Sequence, residues 1–310
     1  MPQELYLPEG MRINTPQNRA YTQSPALLQR AMHEGRILEA TAVHCDAMHN
    51  LTVALGEETG VIPRVEAASG IASGHTREIA ILSRVGKPVC FKVTGMEGGR
   101  YLLSRRQAQE ECMAYLLRTL RPGSVIRARV THLEPFGAFV DIGCGNPSLI
   151  GIENISVSRI AHPRERFYPK QEICAVVTGV DRALKRVSLS HRELLGTWKQ
   201  NAARLSAGET IGGIVRGVEE YGIFVELTPN LSGLAERREG IHAGMPVAVY
   251  VKSIIPERMK IKLVIIDALE CATRKAVSAA DYYITGGRLD RWRYTPEECA
   301  GKLVETVFSE

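Results

Sequence analysis

VIRARVTHLEPFGAFVDIGCG, residues 125–145, alternates apolar and polar side chains on both sides of a Pro-Phe-Gly turn. TIGGIVRGVEEYGIFVELTPN, residues 210–230, does the same around Glu-Tyr-Gly. Aligned without gaps, FGAFVDIG (136–143) falls on YGIFVELT (221–228). Each copy continues through a glycine into a short apolar strand, read as GIENIS (151–156) and GLAERR (233–238). Each closes with an alternating pair, ICAVVTGVDRALKRVSLS (173–190) and VAVYVKSIIPERMKIKLV (247–264). Alternation over runs this short marks half-buried strands, and its recurrence means that one unit has been used more than once.

A worn copy precedes these two. HNLTVALG (49–56) lines up with FGAFVDIG, GVIPR (60–64) with GIENI, and CFKVTGMEGGRYLLS (90–104) with the closing hairpin. Five short strands in roughly 70 residues is the size of a small closed barrel of OB type, and closure removes the exposed edges of so short a sheet. The fold expected is therefore mainly β: three tandem five-stranded OB-fold barrels joined by short α-helices, with a helical C-terminal tail.

The divisions follow. Residues 1–34 form an arm, extended through its first 24 residues, and a short helix begun by Ser24-Pro25. Residues 35–105 are the degenerate repeat, 106–120 a linker helix, 121–190 the second repeat, 191–205 a second linker helix, and 206–266 the third repeat. In the tail, 267–310, a helix is expected from about Asp267 to Ala280, and Thr295-Pro296-Glu297-Glu298 reads as the capping box of another.

Composition narrows the function. Apolar residues make up 45% of the 310 and charged residues 24%, the make-up of globular protein. No apolar run approaches the length of a membrane span, and the first residues do not read as a secretory signal. Seven scattered cysteines (45, 90, 112, 144, 174, 271, 299) form no Cys-x-x-Cys pair, so a reducing cytoplasm is the expected home. Lys and Arg outnumber Asp and Glu by 11 to 7 in residues 121–193, against 6 to 8 in 267–310. A polyanion should therefore meet the middle repeat first.

Alternation also places the rings. Ala138, Val140 and Ile142 must fill the second barrel, because Asp141 cannot, and Phe139 then points outward. Ile223, Val225 and Leu227 send Phe224 outward in the third. Phe136 and Tyr221 stand three residues earlier, at the turn. Two exposed rings per barrel make a platform for unpaired bases, each stack contributing about 1–3 kcal/mol. Arg186 starts the last strand beside it, with Lys185 and Arg182 in the preceding turn. Lys260 holds the same place in the third repeat, and Arg100 in the first.

With those residues in view, the repeats resemble the S-one RNA-binding domain, the unit named after the first protein of the bacterial small ribosomal subunit. The likeness covers about residues 35–266 and suggests a short ribosomal-protein-like member. It implies an RNA surface of two aromatics, a histidine, an aspartate and an arginine. In the middle repeat these fall on Phe136, Phe139, Asn154 in place of the histidine, Asp181 and Arg186. In the third they fall on Tyr221, Phe224, Glu236, Pro256 and Lys260. In the first, His49, Thr52 and Pro63 replace three of them and only Arg100 survives. The middle barrel is expected to bind best, the third more weakly because of Glu219, Glu220 and Glu226, and the first not at all.

The expected function is binding of single-stranded RNA such as mRNA, with low sequence specificity, in or around translation. The worn first repeat is expected to dock to protein, with the small ribosomal subunit as its candidate partner. Two alternatives stand beside this: a protein-docking adaptor without RNA binding, and the accessory RNA-binding part of an RNA-processing enzyme. No catalytic residue, metal ligand or cofactor is expected. His44, Cys45, Asp46 and His49 read as turn and strand residues rather than metal ligands. The glycines of GMEGGR (95–100) lack the Gly-Lys-Ser/Thr of a phosphate loop. Trp292 and Tyr294, set among Arg288, Arg291 and Arg293, are expected to pack back onto a barrel.

Overall fold

Each run of five alternating strands curls until its ends pair, and the chain does this three times. The computed structural model describes residues 6–270 and 276–309. The first barrel comprises β1 (Ile37–Cys45), β2 (Leu51–Leu55), β3 (Glu58–Ile62), β4 (Pro88–Glu97) and β5 (Arg100–Ser104). The second comprises β6 (Val125–Glu134), β7 (Gly137–Asp141), β8 (Pro147–Gly151), β9 (Glu172–Asp181) and β10 (Arg186–Ser190). The third comprises β11 (Thr210–Glu219), β12 (Gly222–Thr228), β13 (Leu231–Ala235), β14 (Pro246–Ile255) and β15 (Lys260–Ala268). All three share the strand order first-second-third-fifth-fourth, closed by fourth on first, with the third and fifth strands parallel and the other pairs antiparallel.

The inward set follows from alternation: Ala138, Val140 and Ile142 are fully buried, as are Ile223 and Val225. A bulge recurs in the first strand of every barrel, between Ala42 and His44, Val130 and His132, and Val215 and Gly217. An extra residue there bends the strand and re-aims the side chains beyond it. Of the glycines in GMEGGR, Gly95 lies in β4, and Gly98 and Gly99 make the β4–β5 turn with φ of 55° and 79°.

Several local expectations need correction. In the second repeat the strand is Pro147–Gly151, and the residues after it form a 3-10 turn, Ile152–Asn154. The N-terminal arm is not extended to residue 24: Thr15-Pro16 starts a helix, α1 (Pro16–Thr22), just as Ser24-Pro25 starts α2 (Pro25–Glu34). The first linker is a continuous helix, α4 (Arg105–Thr119), once the short α3 (Ile79–Leu82) is counted in the first barrel. The second linker is broken. A 3-10 turn, Arg192–Leu195, stops at Gly196 with φ of 83°, and α5 (Trp198–Ala202) restarts behind a Thr197–Gln200 capping box. A left-handed residue cannot continue a right-handed helix.

The tail departs most. The helix expected from Asp267 to Ala280 runs through 271–275, which lie outside the described residues. Before them β15 stays extended to Ala268, and after them comes a single 3-10 turn, Ala279–Asp281. No α-helix occurs in described residues 276–309. Thr295 does not cap a helix: its hydroxyl donates to the Lys302 carbonyl and accepts from Val304 N–H, both at 2.8 Å. It thereby closes the loop between β16 (Arg291–Arg293) and β17 (Glu305–Val307). Trp292 and Tyr294 are buried in the core of the third barrel.

Two seams set the barrels against one another. At the first, the buried Glu9 carboxylate accepts from Arg105 at 2.6 and 2.9 Å and from Cys90 N–H at 3.1 Å. Its own N–H donates to Asp141 at 2.7 Å. Burial alone would raise the Glu9 carboxyl, but the charge and hydrogen bonds of Arg105, the Arg84 charge and the Cys90 N–H together hold it below the usual range. Asp141 is pushed up to about 7 by burial and by Glu9. At the second seam the residue equivalent to Asp141 is Glu226, which accepts from Arg166 and Arg216, each at 2.6 Å; Arg216 also pairs with Glu165. The same hairpin turn docks both times. Asn146 donates to the Gln109 carbonyl in the first linker, and Asn230 to the Arg192 and Gly196 carbonyls in the second.

The tail straps the second seam. Val277 N–H donates to the Arg166 carbonyl and Gln171 donates to the Val277 carbonyl. Tyr282 hydroxyl meets His191 Nε2 at 2.9 Å, and Val125 N–H donates to the Gly287 carbonyl.

Candidate nucleic-acid interface

Strand register determines which side chains share the outer face. His132 pairs with Phe139 and Phe139 with Leu149, so these three form one row across β6, β7 and β8. The third barrel repeats the row as Gly217, Phe224 and Leu234, with Lys262 next on β15. The first barrel has His44, Thr52 and Val61.

Phe136 and Tyr221 rise beside these rows, 56% and 69% exposed. Phe136 meets Phe139 edge to face, with centroids 6.0 Å apart and planes at 83°; Tyr221 meets Phe224 at 6.0 Å and 86°. Two barrels with different sequences thus hold one pair geometry. Edge-to-face contact suits the ring quadrupoles and leaves the outer ring open to solvent. The glycine after each ring answers a packing demand. A Cβ on Gly137 would stand 2.5 Å from the Ile150 carbonyl, and one on Gly222 2.6 Å from that of Ala235. These glycines let the neighbouring strand approach closely.

The remaining expected residues divide into two groups. Arg186 and Lys185 are exposed, Lys185 with φ of 51°. Met259 holds the same left-handed position in the third barrel, at φ of 46°, just before the half-buried Lys260. Arg182 is partly diverted, because its Nε donates to the Leu117 carbonyl at 3.3 Å. Its charge sits at the C-terminal end of α4, which favours cations. Asp181 accepts from Leu184 N–H at 2.8 Å and so shapes the turn. Asn154 is half-buried: its side chain reaches Glu153 at 3.3 Å, and its carbonyl accepts from His191 N–H and Ser190.

One electrostatic expectation is corrected. Glu226 is not a repellent charge beside Phe224, since it is buried between two arginines at the seam. Sequence reasoning missed His132, Leu149, Leu234 and Lys262, because strand register places them beside the rings: the bulge for His132, the second–third strand pairing for the two leucines and the parallel closing strand for Lys262.

The first barrel has no ring pair at this place. His49 Nδ1 lies 3.0 Å from Glu78, which also holds Arg64 with Nε at 2.8 Å. Asp46 accepts from Met48 and Asn50 N–H groups, which makes it a turn residue. No cluster of three or more His, Cys, Asp or Glu suited to a metal occurs among the described residues, and no helix there is long and apolar enough to cross a membrane.

Residues 119–192, which enclose the second barrel, match the family model described as S1 RNA binding domain. The chain is 33% identical over 186 residues to the small ribosomal subunit protein bS1 homolog of Bacillus subtilis (strain 168), covering 58% of this chain and 47% of that one. It is 29% identical over 226 residues to small ribosomal subunit protein bS1 of Staphylococcus aureus (strain N315), covering 71% of this chain and 56% of that one. The chain spans about half the length of the curated relatives it matches.

Proposed function

We propose that this protein binds single-stranded RNA with low sequence preference, in or around translation, a reading supported by the match of residues 119–192 to the S1 RNA binding domain model. The observation that carries the reading is the ring pair held at the same distance and angle in two barrels, with exposed or half-buried cations at the start of the fifth strand, one strand removed from the rings. Bases stack at the platforms built on the Phe136–Phe139 and Tyr221–Phe224 pairs, while Arg186, Lys185 and Lys260 meet phosphates. Stacking tolerates any base, so discrimination is weak. Arg182 contributes charge from its anchorage on α4, and Asp181 and Asn154 hold the turn and the strand end at the rim. The second and third barrels carry the RNA, and the first, whose equivalent face is filled by the His49–Glu78–Arg64 cluster, docks to protein. The resemblance to small-subunit proteins makes the small ribosomal subunit the partner to test, and the cytoplasm the place.

The experiment is fluorescence anisotropy with a labelled single-stranded oligoribonucleotide. Phe136→Ala should weaken binding by about 1–3 kcal/mol, while Thr52→Ala leaves it unchanged. Equal affinity for wild type and Phe136→Ala would remove the platform, and no salt dependence would remove the phosphate contacts.

A further inference from the structure

The second barrel holds a third ring. His132 lies flat against Phe139, with centroids 4.3 Å apart and planes at 10°. The bulge after Val130 turns it outward, and it is exposed. Thr131 fixes its orientation. The Thr131 hydroxyl lies 3.1 Å from the Phe139 carbonyl and 3.3 Å from His132 Nδ1. A hydroxyl has one proton; given to the carbonyl, it leaves an oxygen lone pair for Nδ1–H. The proton then sits on Nδ1, and Nε2 faces outward as an acceptor.

On its other flank Phe139 is paired in register with Leu149, so the imidazole covers its β6-side face and an aliphatic neighbour stands on the β8 side. The outermost aromatic face on the β6 side is the imidazole. The third barrel differs at this place. Gly217 stands where His132 does, and a Cβ there would meet nothing nearer than Glu219 Oε1 at 4.0 Å. Phe224 therefore keeps an open flank that Phe139 lacks.

We propose that His132 is the outermost stacking ring of the second barrel, taking an unpaired RNA base on its free face while Nε2 accepts a hydrogen bond from a base amino group or a ribose hydroxyl. The inference rests on the RNA-binding reading above and assigns the base seat within it. The two barrels then seat bases differently: the second on a ladder of imidazole over phenyl, the third directly on Phe224.

The test uses the full chain carrying Tyr221→Ala and Phe224→Ala, so that the third barrel is silent, and labelled oligouridine and oligoadenosine as probes. His132→Ala should weaken binding about fivefold or more, the low end for losing one stacked base. His132→Phe should stay within about threefold of the parent, because it keeps the ring. In a chain with Phe136→Ala and an intact third barrel, Gly217→His should strengthen binding. Unchanged or tighter binding by His132→Ala would overturn the proposal, since the imidazole would then be a lid over Phe139. So would a loss in His132→Phe as large as that in His132→Ala. If the parent binds RNA and Phe136→Ala weakens it, such a result sinks the His132 seat alone; if wild type binds no RNA, the function itself fails. Unaltered thermal unfolding of the variants checks that this exposed position has not disturbed the barrel.

Discussion

Lowering the pH from 7.5 to 4 should unlatch the tail through His191. Its imidazole is buried with Nδ1 2.7 Å from the Ile155 carbonyl, an acceptor only, so Nδ1 carries the proton. Nε2 must then accept from the Tyr282 hydroxyl at 2.9 Å. Protonating Nε2 turns that acceptor into a donor and places a cation near Arg166. Burial accordingly lowers the His191 pKa from 6.5 to about 4. The neutral form is the folded form, so this stability is complete above pH 6.5 and is lost as pH falls through 4. A shift of that size corresponds to about 3 kcal/mol. Asp141 works the other way. Its carboxyl is raised to about 7, so its contribution is complete below pH 4 and is lost as pH rises through 7. The two partly cancel in wild type, and the His191 contribution appears only by difference. Urea unfolding of wild type and His191→Gln, followed by Trp198 and Trp292 fluorescence, isolates it, since both indoles lie in the third-barrel core beside the dock. The gap between the two unfolding free energies should close by about 3 kcal/mol between pH 7.5 and 4. Parallel curves over that range would refute the assignment of a neutral, hydrogen-bonded His191.

Glu226→Ala leaves Arg166 buried without its carboxylate and removes one of two from Arg216, and should cost about 3–5 kcal/mol in urea unfolding; a loss near zero would mean the seam does not depend on the pair. Gly137→Ala forces a methyl group against the Ile150 carbonyl and should cost about 1–3 kcal/mol, read as a lowered melting temperature.

The repeats were legible in the sequence because each barrel writes its interior in alternate residues, as in Ala138, Val140 and Ile142. Capped helices were legible where the signal was local, as at Ser24-Pro25. The same kind of signal at Thr15-Pro16 is masked by the surrounding prolines of the arm. Local signals misled where a distant partner decided the outcome. Thr295 has the neighbours of a helix cap, yet its hydroxyl is taken by Lys302 and Val304 in a hairpin. Gly196 interrupts what reads as one helix, and Asn230 takes up the carbonyl exposed there. Of the candidate site, the ring pair could be read from spacing alone. His132 and Lys262 could not, because a one-residue bulge and a parallel closing strand decide which side chains stand beside the rings. Glu226 was misread because its partner Arg166 lies 60 positions away and its burial belongs to a contact between barrels.

The contact that joins the first barrel to the second is remade between the second and the third, with a carboxylate at the same site, Asp141 or Glu226, and the same hairpin docked on the linker before it. Such a chain behaves thermodynamically as a row of units, each sensing only its neighbours. Without the tail, damage in the first unit would loosen the second while leaving the third at nearly its full protection against hydrogen exchange. The tail alters that rule at one joint, tying the last two units so that they open together.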